Sequence, residues 1–593
     1  MLSPVSRPVT PAVLSLEVLA QNTEATAEQP TQFRVLVRHF LECFFRNELL
    51  STDGEAKTRL VQAAFALGLP GFVIALYLYT PYHMPHRVRP YWSQAGDHYF
   101  YVLYAFVAMG LVAIFEWDLF FPGLLDTYVL SPLPVRYGRM FRARVVAILI
   151  VIGAVLIDSN FLPPVVLPAA TDPPHLFRFL AAHLLAVGAA GLFAAAFFLG
   201  MEGLLLALLG DRLFRRISLW VQGLSVFALL TLLFLYPVFC GALGALLESG
   251  SALPRWIPPL WFLGIYQRIL DGPATPLIFH HLAWFGAVST LGVMAVAMCT
   301  YPLAWWRRTR AMVEGVAKRE RHSRAGRVVR HGLHATLVRH PAARAVWHFI
   351  GANLLRVSRY RMYLVMYGGV GGALVLASIL RTQINGAHLR FLLSPQGLRV
   401  AIPVTVFWTV SGLHTTFLST SDQQGRWVFR VISGQAGFQQ LRAATRWVCL
   451  WSIGLSGMLV LIAYVAMPAL FDSWRITATQ LLVVSGLSLL LTDAFFLQDD
   501  TIPFTGSRRS SGTNFALLLI PYLGFFPAIV LLTVAAEPWI EASALHIPVA
   551  AILGLGAHLC MQAVRRHRAA ENLQRIEADE DEEDFPLRLG LRY

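Results

Sequence analysis

Six ionisable residues lie inside or beside long apolar stretches and could carry a proton or a ligand: His183, Glu202, His280, His281, His414 and Asp493. A charge at the bilayer centre costs about 3 kcal/mol on insertion scales, so an acid there usually marks ion or proton coupling. Glu202 and Asp493 fall toward the ends of their stretches, where water is within reach, and neutral His183 or His414 can hydrogen-bond between helices. Structural roles account for these residues as well as chemistry does. The only lysines are Lys57 and Lys318, and neither follows a glycine, so no G-x-x-x-x-G-K-[ST] loop can cradle nucleotide phosphates. H-E-x-x-H, G-x-S-x-G and C-x-x-C are absent as well. Cys43, Cys240, Cys299, Cys449 and Cys560 are scattered, which predicts neither a disulfide nor a zinc site. No catalytic residue, cofactor or metal is expected in this chain.

The most informative stretch runs Glu116-Trp117-Asp118, then Asp126 to Leu130, then Ser131-Pro132-Leu133-Pro134-Val135-Arg136, then Phe141-Arg142-Ala143-Arg144. Two prolines two apart stop a helix and stiffen the turn. Arginines then follow at helical spacing into the next apolar stretch, which makes a rigid elbow between two membrane helices. Elsewhere, Gly368, Gly369, Gly371 and Gly372 cluster; the pair Gly368 and Gly372, four apart, predicts close helix packing.

These groups must be positioned by membrane helices. Of the 593 residues 56% are hydrophobic and 14% charged, whereas a soluble domain carries about a quarter charged. Apolar blocks near 60–80, 98–121, 141–161, 178–205, 218–245, 277–305, 361–380, 398–419, 445–470, 476–497, 514–535 and 545–563 predict twelve crossings. The net charge of +14 is nearly all arginine and does not imply nucleic-acid binding; its distribution is what matters. Arg136 to Arg144, Arg212 to Arg216, Arg307 to Arg361, Arg426 to Arg446, Arg508 and Arg509, and Arg565 to Arg568 fall on one side. Asp158, Asp172, Glu248, Asp271, Asp472, Glu537 and Glu541 fall on the other, with Arg87 and Arg89 the exception. Positive charge inside then puts both termini in the cytoplasm.

The fold class predicted is an all-α polytopic membrane protein of two six-helix halves, each preceded by an amphipathic interfacial helix. Residues 1–30 read as a disordered tail, 31–57 as an amphipathic connecting helix and 58–306 as the first half. A basic linker (307–344), a second amphipathic helix (345–360), the second half (361–563) and a tail with an acidic run (564–593) follow. No residue-level repeat relates the halves.

The elbow resembles that of ABC-2 type exporter permeases, in particular large bacterial forms with both six-helix halves in one chain. Pro258 to Gly264, Trp427 to Arg430 and Ile502 to Thr505 extend the likeness. The resemblance implies a bacterial inner-membrane permease whose coupling helices dock on a separate, soluble P-loop ATPase subunit, with ATP and Mg on that partner. Carried over, Asp126, Pro132, Pro134 and Arg136 would form the first coupling region, and Trp427 and Arg430 the second. Arg144 stands where the resemblance would put lysine, and Gly425, Arg426 and Ser433 also depart from the pattern. Twelve helices in two halves equally describe ion-coupled secondary transporters. A membrane-embedded enzyme acting on lipid-linked substrates would draw on Asp118, Glu202 or His280. One chain or two could form the pore, and the cargo is not readable.

Overall fold

The computed structural model describes residues 32–44, 56–84, 88–121, 129–313 apart from 131, 134 and 251, 341–418 apart from 386–387, 437–499 apart from 498, 503–504, and 521–582. Helices dominate: α1 (32–44), α2 (Ala56–His83), α3 (Tyr91–Phe115), α4 (Tyr137–Thr171), α5 (Leu176–Phe234), α6 (Tyr236–Glu248), α7 (Pro258–Asp271) and α8 (Leu277–Val313). Then come α9 (Pro341–Arg356), α10 (Ser358–Ile379), strands β1 (Leu380–Asn385) and β2 (His388–Leu393), α11 (Pro395–Leu418), α12 (Gly437–Ala466), α13 (Trp474–Phe495), α14 (Phe526–Ala542) and α15 (His546–Glu582). Among the described residues, eleven helical stretches are long and apolar enough to cross a bilayer, two of them within α5. This is a multi-pass helical membrane architecture. The remaining predicted crossing, 514–535, lies partly outside the described residues, and α14 supplies its later part.

The described residues within 1–214 and 252–317 form one compact unit, and those within 215–251 and 318–593 another. The division departs from the expected boundary at 306: residues 215–251 belong with the second unit. Local sterics explain the attachment, because Gly369 and Gly372 of α10 present no side chain to Val226 and Phe227, which an added Cβ would meet at 2.6 and 3.1 Å. Helical conformation also runs on through 206–217, where charge and hydropathy place a loop; Gly210 is the one residue there that disfavours a helix.

In the first unit α3 is the central helix, buried over most of its length. Its tyrosines satisfy carbonyls beside Pro70 of α2, with Tyr104 Oη donating to Leu67 O at 2.6 Å and Tyr101 Oη to Gly71 O at 3.3 Å. The carbonyl that Pro70 leaves without an amide is that of Ala66, so these two hydroxyls bond to carbonyls close by and tie α3 to α2. The Pro258 to Gly264 motif forms the start of α7, which at 14 residues is too short to span; Gly264 lets it lie on α8, since a Cβ there would meet Ala283 N at 2.6 Å.

In the second unit α11 is the central helix, touching α10, α12, α13 and α14. The antiparallel hairpin β1–β2, in register Leu380 with Leu393 through Asn385 with His388, is an addition to the all-α expectation.

Both amphipathic helices differ from the interfacial expectation in the same way. On α1, Leu36, Phe40 and Phe44 are buried, with Phe44 against Phe120. On α9, Val346, Ile350 and Leu354 are buried in one cluster with Ala443, Ala444, Trp447 and Val448 of α12. Each stripe is spaced four residues apart, and each is covered by protein rather than presented to headgroups.

Candidate functional site

The elbow after α3 is built from one short turn of 3-10 helix, Trp117–Leu119, followed by Phe120 and Phe121, all held from outside. Arg144, about two turns into α4 and only 1% exposed, donates from Nη2 to Leu119 O, and to Phe121 O at 3.2 Å. Its guanidinium also lies over the rings of Phe40 and Phe44, 4.7 and 5.6 Å from their centroids. Tyr301 of α8 donates to Phe120 O at 2.6 Å and packs on Phe121 and Phe141. Three helices, α1, α4 and α8, therefore converge on one short turn.

Beyond that anchor Leu130 turns inward, at 8% exposed, while several of its described neighbours face outward. Val129, Leu133 and Tyr137 are 60%, 48% and 52% exposed, and Pro132 and Arg136 are exposed too. Arg136 has extended backbone and precedes the first helical residue of α4, so the helix starts where the proline-bounded turn ends. Asp126 and Pro134 lie outside the described residues, as do Trp427 and Arg430.

The corresponding end of α11 in the second unit is closed by Phe504. Its amide donates to Phe417 O at 2.9 Å, and its ring meets Phe417, Tyr360 and Phe349 at centroid distances of 5.3, 4.4 and 5.9 Å. Phe504 has φ +69°, a left-handed conformation that costs a non-glycine residue about 1 kcal/mol or more. The Ile502 to Thr505 motif thus supplies an aromatic plug, which its residue types alone do not announce.

Four of the six ionisable candidates, His183, Glu202, His414 and Asp493, are engaged locally. Glu202 is fully buried with Arg308 Nη1 4.0 Å from Oε1. Asp493 accepts from Gln562 Nε2 at 2.7 Å and contacts His558 Nδ1. His414 Nε2 lies 3.0 Å from Asp499 Oδ2, and His183 Nδ1 lies 3.3 Å from Tyr266 Oη. His280 and Glu202's partner Arg308 are 28 residues apart on α8, about 40 Å along a helix, so Glu202 and His280 do not share a site. Among the described residues, no three or more His, Cys, Asp or Glu converge as metal ligands would.

At the acid-bearing end, Arg89 explains its own exception to the charge pattern. It forms a two-pronged pair with Asp97 at 2.6 Å per contact, and Tyr82 donates to the same carboxylate at 2.9 Å. The hydrogen bonds to Asp97 raise the Arg89 pKa further above its ordinary value. Sequence reasoning missed a second cluster, where Arg399 of α11 lies 2.9 Å from Glu541 and 3.7 Å from Glu537 of α14, and Gln480 of α13 donates to Glu537 at 3.1 Å. These residues are too far apart in sequence for spacing to join them.

Of the predicted glycine pair, only Gly372 meets a neighbour; nothing lies within 4 Å of a Cβ placed on Gly368. The close approaches fall instead at Gly369, Gly371 against Trp408, and Gly412 against Tyr367.

No family model matches the chain, and neither a curated protein nor a solved structure matches it.

Proposed function

We propose that this chain is the membrane-spanning permease of an ATP-driven exporter, with ATP hydrolysed on a separate soluble P-loop subunit. The observation that supports this reading is the elbow after α3: it is anchored to three helices through Arg144 and Tyr301, yet carries exposed apolar and cationic side chains at Val129, Leu133, Arg136 and Tyr137. A permease does no phosphoryl transfer. It must convert closure of an ATPase dimer into movement of helix bundles, and that requires a lever whose base does not yield and whose tip is free to dock. The proposal includes twelve crossings in two six-helix halves and both termini in the cytoplasm.

Ion-coupled transport is the second reading, and the buried Asp493, with His558 and Gln562 on it, is the feature that favours it. The two readings separate in one experiment. Mild-detergent pull-down of the tagged protein from its host is expected to recover a soluble P-loop ATPase in stoichiometric amount. Replacing Pro132 and Arg136 together should abolish that recovery and transport while leaving membrane insertion intact. Transport unchanged in the double variant, or transport that survives ATP depletion and collapses with the proton gradient, would overturn the exporter reading.

A further inference from the structure

The second unit carries an apolar groove of about 1000 Å³, and every residue that lines it belongs to that unit. Its floor is the α10–α11 pair, where Gly368, Gly371, Gly372 and Gly412 are among the lining residues. Glycines at 369, 371 and 412 are needed for helices to meet; Gly368 meets nothing, and its missing side chain is open space within the groove. Residues 219–227 of α5 form one wall and α12 from Trp447 to Ile462 the other. Trp220 and Trp451 stand 78% and 51% exposed on these walls.

The groove has a direction. Its lining on α10 runs from Arg361 to Val375, about 21 Å of helix, longer than the roughly 15 Å of hydrocarbon in one leaflet. Among the described residues Arg361 is the only charged one on the lining, and its Nε is buried without a hydrogen-bond partner. Of the other polar lining groups, Tyr367 Oη is engaged with Thr415 and Tyr522 and Thr405 Oγ1 with Ala401 O, while Trp408 Nε1 is buried without a hydrogen-bond partner. The cavity therefore asks for an occupant that is apolar over most of its length and anionic at one end. An acyl chain is thin enough to lie in it wholly.

We propose that this groove binds an anionic membrane phospholipid, with the headgroup phosphate on Arg361 and an acyl chain laid along Gly368 and Gly372. Guanidinium is suited to phosphate, and the surrounding apolar wall strengthens the pairing by excluding water. The proposal does not depend on the exporter reading.

The test reconstitutes the whole protein in phosphatidylcholine nanodiscs and adds phosphatidylglycerol with brominated acyl chains, reading quenching of tryptophan fluorescence. A saturable phase at low mole fraction is expected with brominated phosphatidylglycerol and not with brominated phosphatidylcholine. Arg361→Gln should raise the mole fraction at half-saturation about fivefold. Gly368→Leu should remove the saturable phase, and Gly368→Ala should retain it. Quenching that rises without saturation, equally for both lipids and in every variant, would show annular lipid only and overturn the proposal. So would an absence of quenching with dimeric protein, which would make a second copy the occupant. Should Arg361→Gln fail to fold, the comparison of lipids and the Gly368→Leu variant still decide.

Discussion

Arg144 shows how a single residue turns a loop into a fixture. Two backbone carbonyls of the elbow accept from it, and two phenylalanine rings of α1 cover it. Lysine could satisfy one carbonyl but neither the fork nor the stacking, because its ammonium is compact and lacks a flat face. Arg144→Lys is therefore expected to cost about 2 kcal/mol, the size of a lost charge-assisted hydrogen bond, read as a lowered thermal midpoint in detergent. An unchanged midpoint would mean the clamp carries no stability. The glycines give a sharper contrast. Gly371→Ala places a Cβ 2.7 Å from Trp408 Cβ and should destabilise measurably, whereas Gly368→Ala enters open space and should be neutral or gain up to about 1 kcal/mol of helix propensity. The sequence pattern shows that small residues cluster here, and helical spacing singles out Gly368 and Gly372. Which glycine meets a neighbour depends on where Val226 and Trp408 lie, and spacing within α10 carries no such information.

Helices α1 and α9 are the elements most open to misreading from sequence. An amphipathic stripe beside a membrane span has the same pattern whether it floats in headgroups or packs on protein, since both demand apolar residues on one face. Stability separates the two. Ile350 is fully buried among α12 residues, so Ile350→Ala should cost about 2–4 kcal/mol and lower the thermal midpoint. A stripe facing lipid would leave the midpoint nearly unchanged. The hairpin, by contrast, carries a short signal: Gly386-Ala387 stands between the two strand runs, and a glycine-first pair is one of the two-residue turn patterns. Hydropathy over membrane-length windows averages such short strands away. The apolar crossings were legible for the opposite reason, because a run of twenty apolar residues admits few other uses. The clusters Arg399–Glu537–Glu541 and Asp493–His558 join residues more than sixty positions apart, and only the packed helices bring them together.

For the whole molecule, the count of crossings decides where both ends lie, and α14 is the crossing outside the eleven. Eleven stretches qualify by length and composition; α14 has 17 residues, and the π-helical turn Pro521–Phe525 runs straight into it, which brings the helical run past the roughly 20 that a bilayer requires. Its tip is polar on one side, with Glu537 and Glu541 held by Arg399, at the end where Asp472 also lies by charge pattern. That pairing suits a helix that has completed its crossing, because an acid left in hydrocarbon would need its partner there as well. Twelve crossings therefore predict that reporters fused at the N-terminus and the C-terminus are active on the same side, and that a reporter inserted after Ala544 is active on the opposite one. If α14 did not cross, the C-terminal fusion and the insertion after Ala544 would exchange sides while the N-terminal fusion stayed put. Parity makes this a strong test, since one misassigned helix inverts everything that follows it and leaves everything before it unchanged.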